Sequence, residues 1–377
     1  MAISVDGQYY YRFNIGGFED FIDNDDFDSF TLIEEAGNML PTWKISFKTS
    51  DPDVPKVWNE GNDLEVSYGI DQDNLVDAKL LITKSTISGA GDQKYQITGL
   101  GIYSAINYIT KAKTLISDKK SGVAIVKDVA AKHFLCDFNI DVSEDSQYWI
   151  QPNITDKKYI DNVCLHSYLS KSFIGTGITS DGTFRLLDIS QVISEPYAFK
   201  FTNTSEEDGK DISYSSNPEL ISNSGFINCW VGYGREKPVY TIEDDSLNKY
   251  LETSEPLMVL SNTFARNSSV EKRNAAIGME NDNTHSKYWQ AALKNVQGLS
   301  LFSSQNLTLT YDSFNTIKVF DLVMFKKGLL DNDNEASEYE SGLYLVGLVS
   351  RTVSANKFST TVSLFREGMS SITGSLK

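Results

Sequence analysis

The chain has 377 residues, of which 40% are hydrophobic, 12% aromatic and 23% charged, a balance that excludes wholesale disorder and leaves room for two or three cored domains. Its 34 bases and 51 acids give a net charge of −17, which argues against a nucleic-acid-binding face. No stretch of about 18 apolar residues could span a membrane. Met1 to Tyr10 have neither the basic nor the apolar segment of a secretory signal, and three cysteines make no disulfide framework, so synthesis in a reducing cytoplasm is expected.

The 19 Tyr and 20 Phe favour sheets over helix bundles. The acidity sits at one end: residues 1–75 hold 16 acids and four bases, a net −12 of the −17. Its densest run, Glu19 to Asp28, threads Phe21, Ile22 and Phe27 between carboxylates and reads as a solvated loop. A calcium loop would need a turn glycine and a distal glutamate, which this run lacks. The run Asp331-Asn332-Asp333-Asn334-Glu335 lacks them too, with Ala336 at the turn position.

From Trp43 the pattern is that of strands. Trp43, Ile45 and Phe47 alternate with polar residues until Asp51-Pro52 and Pro55 break the run, predicting a loop or hairpin arm over Asp51 to Trp58. Leu64 to Tyr68 alternates again. Ala78 to Ile87 and Lys94 to Ile102 flank the turn Gly89-Ala90-Gly91-Asp92. So many strands in so short a stretch predict a closed or sandwiched sheet over residues 1–105.

Residues 106–190 differ in character. Val123 to Phe134 carries one helical stripe after Ser121-Gly122, and Thr155 caps a second predicted helix running to about Lys171. Phe184 to Ile189 reads as a strand, which makes this segment an α+β insertion between β regions. In residues 191–377 the strand candidates are Tyr197–Phe201, Phe226–Tyr233, Leu257–Leu260, Leu307–Tyr311, Lys318–Phe325, Leu343–Ser354 and Lys357–Phe365, with a helix over Thr284–Val296.

Two hairpins echo each other. Leu80 to Ser88 ends in Thr86-Ile87-Ser88 and resumes at Lys94-Tyr95; Leu345 to Ser354 ends in Thr352-Val353-Ser354 and resumes at Lys357-Phe358. The preceding Asn62 to Val66 and Phe320 to Met324 also match loosely. A duplicated β-barrel, one copy at each end of the chain, is the expectation.

Catalytic motifs fail on context. Gly175-Thr176-Gly177 with Gly182 follows a helix and precedes a strand, the reverse of a dinucleotide loop, and neither G-x-S-x-G nor a phosphate-binding G-x-x-x-x-G-K occurs. His133, Cys136, Cys164 and His166 have zinc-ligand chemistry, but Cys164 and His166 stand two apart on a predicted helix and point to different faces. No catalytic residue, metal site or cofactor is expected. The alternative class is a carbohydrate-binding or carbohydrate-cleaving β protein, such as a tail adhesin, suggested by the aromatic and Asp/Asn-rich loops.

The order of barrel, α+β insertion and second barrel resembles the baseplate hub proteins of contractile phage tails and related injection machines. The stretch Tyr148-Trp149-Ile150-Gln151-Pro152-Asn153-Ile154-Thr155, then Tyr159 to Val163 and Gly182 to Asp188, is similar to that family's insertion. Ser341 to Val346 and Thr360 to Arg366 resemble the closing hairpin of its second barrel. The resemblance implies a mainly β fold of two tail-tube-like β-barrels (1–105 and 191–377) plus the small α+β domain (106–190). It implies a homotrimer whose six barrels match a hexameric tail tube, joining the tail tube protein above to a central spike protein below, beside other baseplate proteins. Such a hub lies in the virion tail, forms part of the DNA channel and binds no specific nucleic-acid sequence. Unlike in some hubs, no appended lysozyme or spike domain is expected, so those functions would belong to other chains. The arm residues Asp51, Val54, Val57 and Trp58 are the candidates for the partner interface.

Overall fold

The computed structural model describes residues 3–5, 9–19, 22, 24–73, 75–89, 93–170, 172–202, 211–214, 218–222, 238–239, 249–250, 285, 287–303, 305–327, 340–354 and 357–366. The expected strands at Phe226–Tyr233 and Leu257–Leu260, the acidic run Asp331–Glu335 and the turn residues Ala90–Asp92 lie outside the described residues.

The N-terminal half is built from β1 (Ile3–Val5), β2 (Tyr9–Ile15), β3 (Phe18–Glu19), β4 (Phe27–Glu35), β5 (Thr42–Thr49), the short helix α1 (Val54–Val57), β6 (Asp63–Gly69), β7 (Val76–Gly89) and β8 (Tyr95–Tyr103). The main strands pair antiparallel in the order β4-β5-β8-β7-β6-β2-β1. Period-two alternation puts Tyr11, Phe13, Phe30, Trp43, Phe47, Leu64, Tyr68 and Leu80 on one buried face. No hydrogen-bond ladder joins β2 to β4 among the described residues, yet Phe13 and Phe30 stand edge to face at 5.4 Å and Tyr11 meets Phe30 at 6.1 Å. The sheet therefore curls until its inner faces touch around an aromatic core.

The insertion contains α2 (Ile106–Thr110), β9 (Ala112–Lys120), α3 (Gly122–Ala130), β10 (Leu135–Phe138), β11 (Gln147–Thr155), α4 (Asp156–His166), β12 (Ile174–Ile178), β13 (Thr183–Asp188) and α5 (Ile189–Ser194). The expected cap is present, Thr155 accepting from the Lys158 amide, and Ser121 likewise accepts from the Ala124 amide. Helices α3 and α4, the antiparallel ribbon β9–β11 and the small sheet β10-β13-β12 share a core of Tyr108, Val123, Val126, Trp149, Tyr159, Ile160, Val163 and Phe184. Helix α4 ends at His166, five residues before the expected Lys171. The side chain of Asn295 donates to the carbonyls of Cys164, Leu165 and Ser167, replacing the turn that would otherwise follow.

The C-terminal half follows with β14 (Phe199–Thr202), β15 (Asp211–Ser213), β16 (Glu219–Ser222), the small pair β17 (Pro238–Val239) and β18 (Lys249–Tyr250), α6 (Tyr288–Phe302), β19 (Gln305–Tyr311), β20 (Leu322–Lys326), β21 (Gly342–Ser354) and β22 (Lys357–Arg366). Helix α6 starts later than the expected Thr284 and runs beyond Val296. His285 is held outside it by bonds to Gln147 and to the His166 carbonyl. The strand expected from Lys318 begins only at Leu322, because Phe320 takes the left-handed conformation (φ 66°) and its amide bonds Val346 O at 2.6 Å.

The echoed hairpins are β7–β8 and β21–β22, each preceded by its antiparallel neighbour, β6 or β20. The likeness extends further. Numbering each half's seven main strands in chain order, and leaving aside β3, β17 and β18, the spatial order is 3-4-7-6-5-2-1 in the first half and 3-4-7-6-5-1-2 in the second. The halves are also fused: β21 pairs with β20 over Gly342–Leu345 and then with β4 over Leu348–Ser354. A bulge at Gly347 marks the change of partner, where a Cβ would stand 1.7 Å from the Phe365 ring.

Candidate assembly surfaces

The arm Asp51–Trp58 does not project. Thr49 Oγ1 accepts from the Asp51 amide, Asp51 accepts from the Asp53 amide, and Pro55 fits the first turn of α1. Val54 and Trp58 are both 0% exposed within their own chain. The Trp58 indole lies edge to face on Phe47 at 5.1 Å and over Gly99, where a Cβ would come within 2.7 Å of it. Of the four arm residues, only Asp51 and Val57 keep partial surface. Trp58 is buried within its own chain, because the strand face beside it offers a slot at Gly99 that takes the ring.

A polar seam joins the two halves and the insertion. Glu34 of β4 and Arg351 of β21 form an ion pair at 3.1 Å, with side chains 2% and 7% exposed. The same carboxylate oxygen accepts from the Ser180 amide and hydroxyl, and Tyr68 donates to the Ser180 hydroxyl. Arg351 also donates to Ile317 O at 2.5 Å. Burial works to lower the Arg351 pKa, but Glu34 and the hydroxyls of Tyr68, Tyr311 and Tyr11 raise it on balance. Beside this pair, Arg185 bridges Asp137 at 2.9 Å and Asp321 at 2.8 Å, and Lys318 reaches Asp181 at 3.2 Å. Burial raises the Asp321 pKa against Arg185, whereas Asp181 is lowered because Thr179 and Lys318 outweigh its burial.

The histidines serve packing. His133 Nε2 donates to Asp156 Oδ2 at 2.7 Å, Lys113 donates to the same oxygen at 2.5 Å and Gln151 to Oδ1 at 3.0 Å. Burial raises the Asp156 pKa, but these donors together bring it below the usual carboxylate value. Its place at the first turn of α4 makes it an anchor for that helix. His166 stacks on Tyr288 at 3.9 Å, and His285 donates to the His166 carbonyl at 2.9 Å. These contacts clasp α6 onto α4, and burial pushes both histidines below their ordinary range. Cys136 is exposed on β10 while Cys164 faces the α4 core. No three His, Cys, Asp or Glu side chains gather as metal ligands among the described residues.

The surface that sequence reasoning missed is the β9–β11 ribbon. Trp149, Gln147 and Gln151 point inward, while Ile116 (66%), Tyr148 (53%) and Ile150 (54%) point out; Leu115, the partner of Gln151, lies on the other face. Ile116 is the direct partner of Ile150, and Tyr148 shares their face, so these three exposed side chains form one patch. Ile116 standing between the lysines of residues 111–120 was the available signal.

No protein-family model matches the chain, and no curated protein matches it in sequence. Solved structures do match. A tail protein from Neisseria meningitidis MC58 superposes with a TM-score of 0.57 over 96% of this chain and 98% of its own, at 12% identity. The 43 kDa tail protein of prophage MuSo2 from Shewanella oneidensis gives 0.56 over 95% and 96%, at 11% identity. This chain has the fold of phage tail proteins. The c3393 protein of E. coli gives 0.52 over 94% of this chain and 76% of its own, at 10% identity. It is described as a type VI secretion component with structural similarity to the phage T4 tail proteins gp27 and gp5. The tail-protein fold accounts for nearly the whole chain, insertion included, so the mainly β architecture of two strand-rich halves around an α+β segment agrees with the expectation. No helix among the described residues is long and apolar enough to cross a membrane.

Proposed function

We propose that the chain is a structural, non-catalytic hub of a phage tail baseplate. Three copies form a ring whose upper face has pseudo-sixfold symmetry and meets the tail tube protein, while the lower face meets the central spike protein. The observation that carries this reading is the repeated strand order, 3-4-7-6-5 in each half, inside a chain with the tail-protein fold. Two similar half-sheets per chain let three chains offer six similar surfaces, and closed rotational symmetry is the common form of assembly. Part of the −17 charge per chain would then face the channel, where it repels phosphates and eases DNA passage. In this reading the domains 1–105, 106–190 and 191–377 each supply most of one core, with Val353 and Phe358 entering the first and Phe173, Leu187 and Ile189 the one in the C-terminal half.

Imaging of phage particles that carry a tagged copy tests the reading. The tag should appear at the junction of tube and spike in three copies. A tag on the tail fibres, or free protein that binds soluble sugars, would favour the adhesin class instead.

A further inference from the structure

We infer that the β9–β11 ribbon docks on the acidic rim of a second copy of this chain, at the turn between β6 and β7. The inference deepens the trimeric reading and rests on it. The ribbon presents Ile116, Tyr148 and Ile150 in one exposed patch. Its flanks are basic: residues 111–120 hold Lys111, Lys113, Lys119 and Lys120 against Asp118 alone. Lys113 and Lys120 are engaged by Asp156 and Asp128 within the chain. Lys111 and Lys119 are exposed and have no carboxylate partner among the described residues.

The rim offers the complement. Ile70, 58% exposed, stands at the end of β6, followed by the exposed Asp71, Asp73 and Asp77 with no base among residues 70–77. One surface is therefore apolar with lysines at its margin, and the other is a single isoleucine set among carboxylates. Both belong to the same chain, in which residues 1–75 hold most of the net negative charge. An isolated exposed Ile is ordinary, but three apolar side chains side by side on one face of a ribbon mark a contact surface. The two surfaces differ, so the contact is heterologous and passes from each copy to the next, as a closed ring requires. Charge at the margin sets register and salt sensitivity, while the apolar patch supplies the affinity.

The test measures association of the full-length chain by native mass and sedimentation across concentration, with circular dichroism to establish folding. Ile116→Glu with Ile150→Glu, and separately Lys111→Glu with Lys119→Glu, should each weaken self-association by about tenfold or more while leaving the melting of the separated chain unchanged. Asp71→Lys with Asp73→Lys should do the same. The two charge reversals combined should restore association, an outcome that general destabilisation cannot produce. Should the isoleucine variant fail to fold, the charge reversals carry the test alone. Wild-type trimers with variants that associate unchanged, or no restoration in the combined reversal, overturn the ribbon contact and leave the hub reading standing. A wild-type chain that never self-associates overturns both.

Discussion

The two halves of the molecule order five strands alike and differ in the last two. In the N-terminal half β2 pairs antiparallel with β6 and β1 follows; in the C-terminal half β14 pairs parallel with β20 and β15 follows, also parallel. The difference follows from how the chain arrives. β2 enters from a terminal hairpin, free to turn back on itself. β14 enters from the insertion, whose Leu187, Ile189 and Val192 are part of the second core and fix its direction. The cores differ in emphasis: rings of Tyr11, Phe13, Phe30, Phe47, Trp58 and Tyr68 crowd the first, while the second mixes rings such as Phe201, Tyr311 and Phe320 with the valines Val319, Val323, Val346, Val349 and Val362. One strand order thus accepts two kinds of filling, provided that period-two alternation keeps the apolar face inward.

The seam gives the largest effect that could break this comparison. Glu34→Leu alone leaves Arg351 buried without its carboxylate and should lower stability by about 3–5 kcal/mol, read from denaturant unfolding. Glu34→Leu with Arg351→Met should regain most of that loss; if it does not, the pair does more than hold the halves in register. Trp58→Ala should cost a similar amount, about 3–5 kcal/mol, because it empties a fully buried slot in the first core. Hydrogen exchange should then rise in β5 to β8 before it rises in β19 to β22.

Gly347→Ala should cost about 1–3 kcal/mol, since the Phe365 ring must give way at the point where β21 changes partners. A smaller effect concerns the insertion. The folded-state pKa values of His166 and His285 lie below the ordinary His value of about 6.5. Their contribution to stability is therefore complete above that unfolded value and is lost as pH falls through the folded ones. Asp145 acts on His285 in the opposite sense, and His166 and His285 repel each other when charged. Amide protection factors in α6 should fall between pH 7 and 5 more than those in β4 or β5, and His285→Asn should flatten that dependence. Thr155→Ala, which removes the cap of α4, should cost about 1 kcal/mol by thermal melting.

Much of this was legible in the sequence wherever local chemistry decides. Trp43, Ile45 and Phe47 alternate and are buried; Thr155 caps; Thr-x-Ser before Lys-aromatic marks two real hairpins. Tertiary contacts decided the rest. The end of α4 depends on Asn295, far along the chain, and the start of α6 on Gln147. Trp58 next to prolines looked like an exposed arm, but the room that Gly99 leaves draws it inward. The seam was readable and went unread. Glu34 shares strand parity with Phe30 and Leu32, and Arg351 with Val349 and Val353, so each is a charge in an inward-facing row that demands a buried partner.

Repetition within one chain makes sense as a way for three chains to face six, and the mass of the native assembly tests that most directly. At micromolar concentration and moderate salt, the full-length protein should appear at three times 42.1 kDa, about 126 kDa, and averaged images should have threefold symmetry with six similar lobes on one face. A folded protein that stays at 42.1 kDa at every concentration would contradict it.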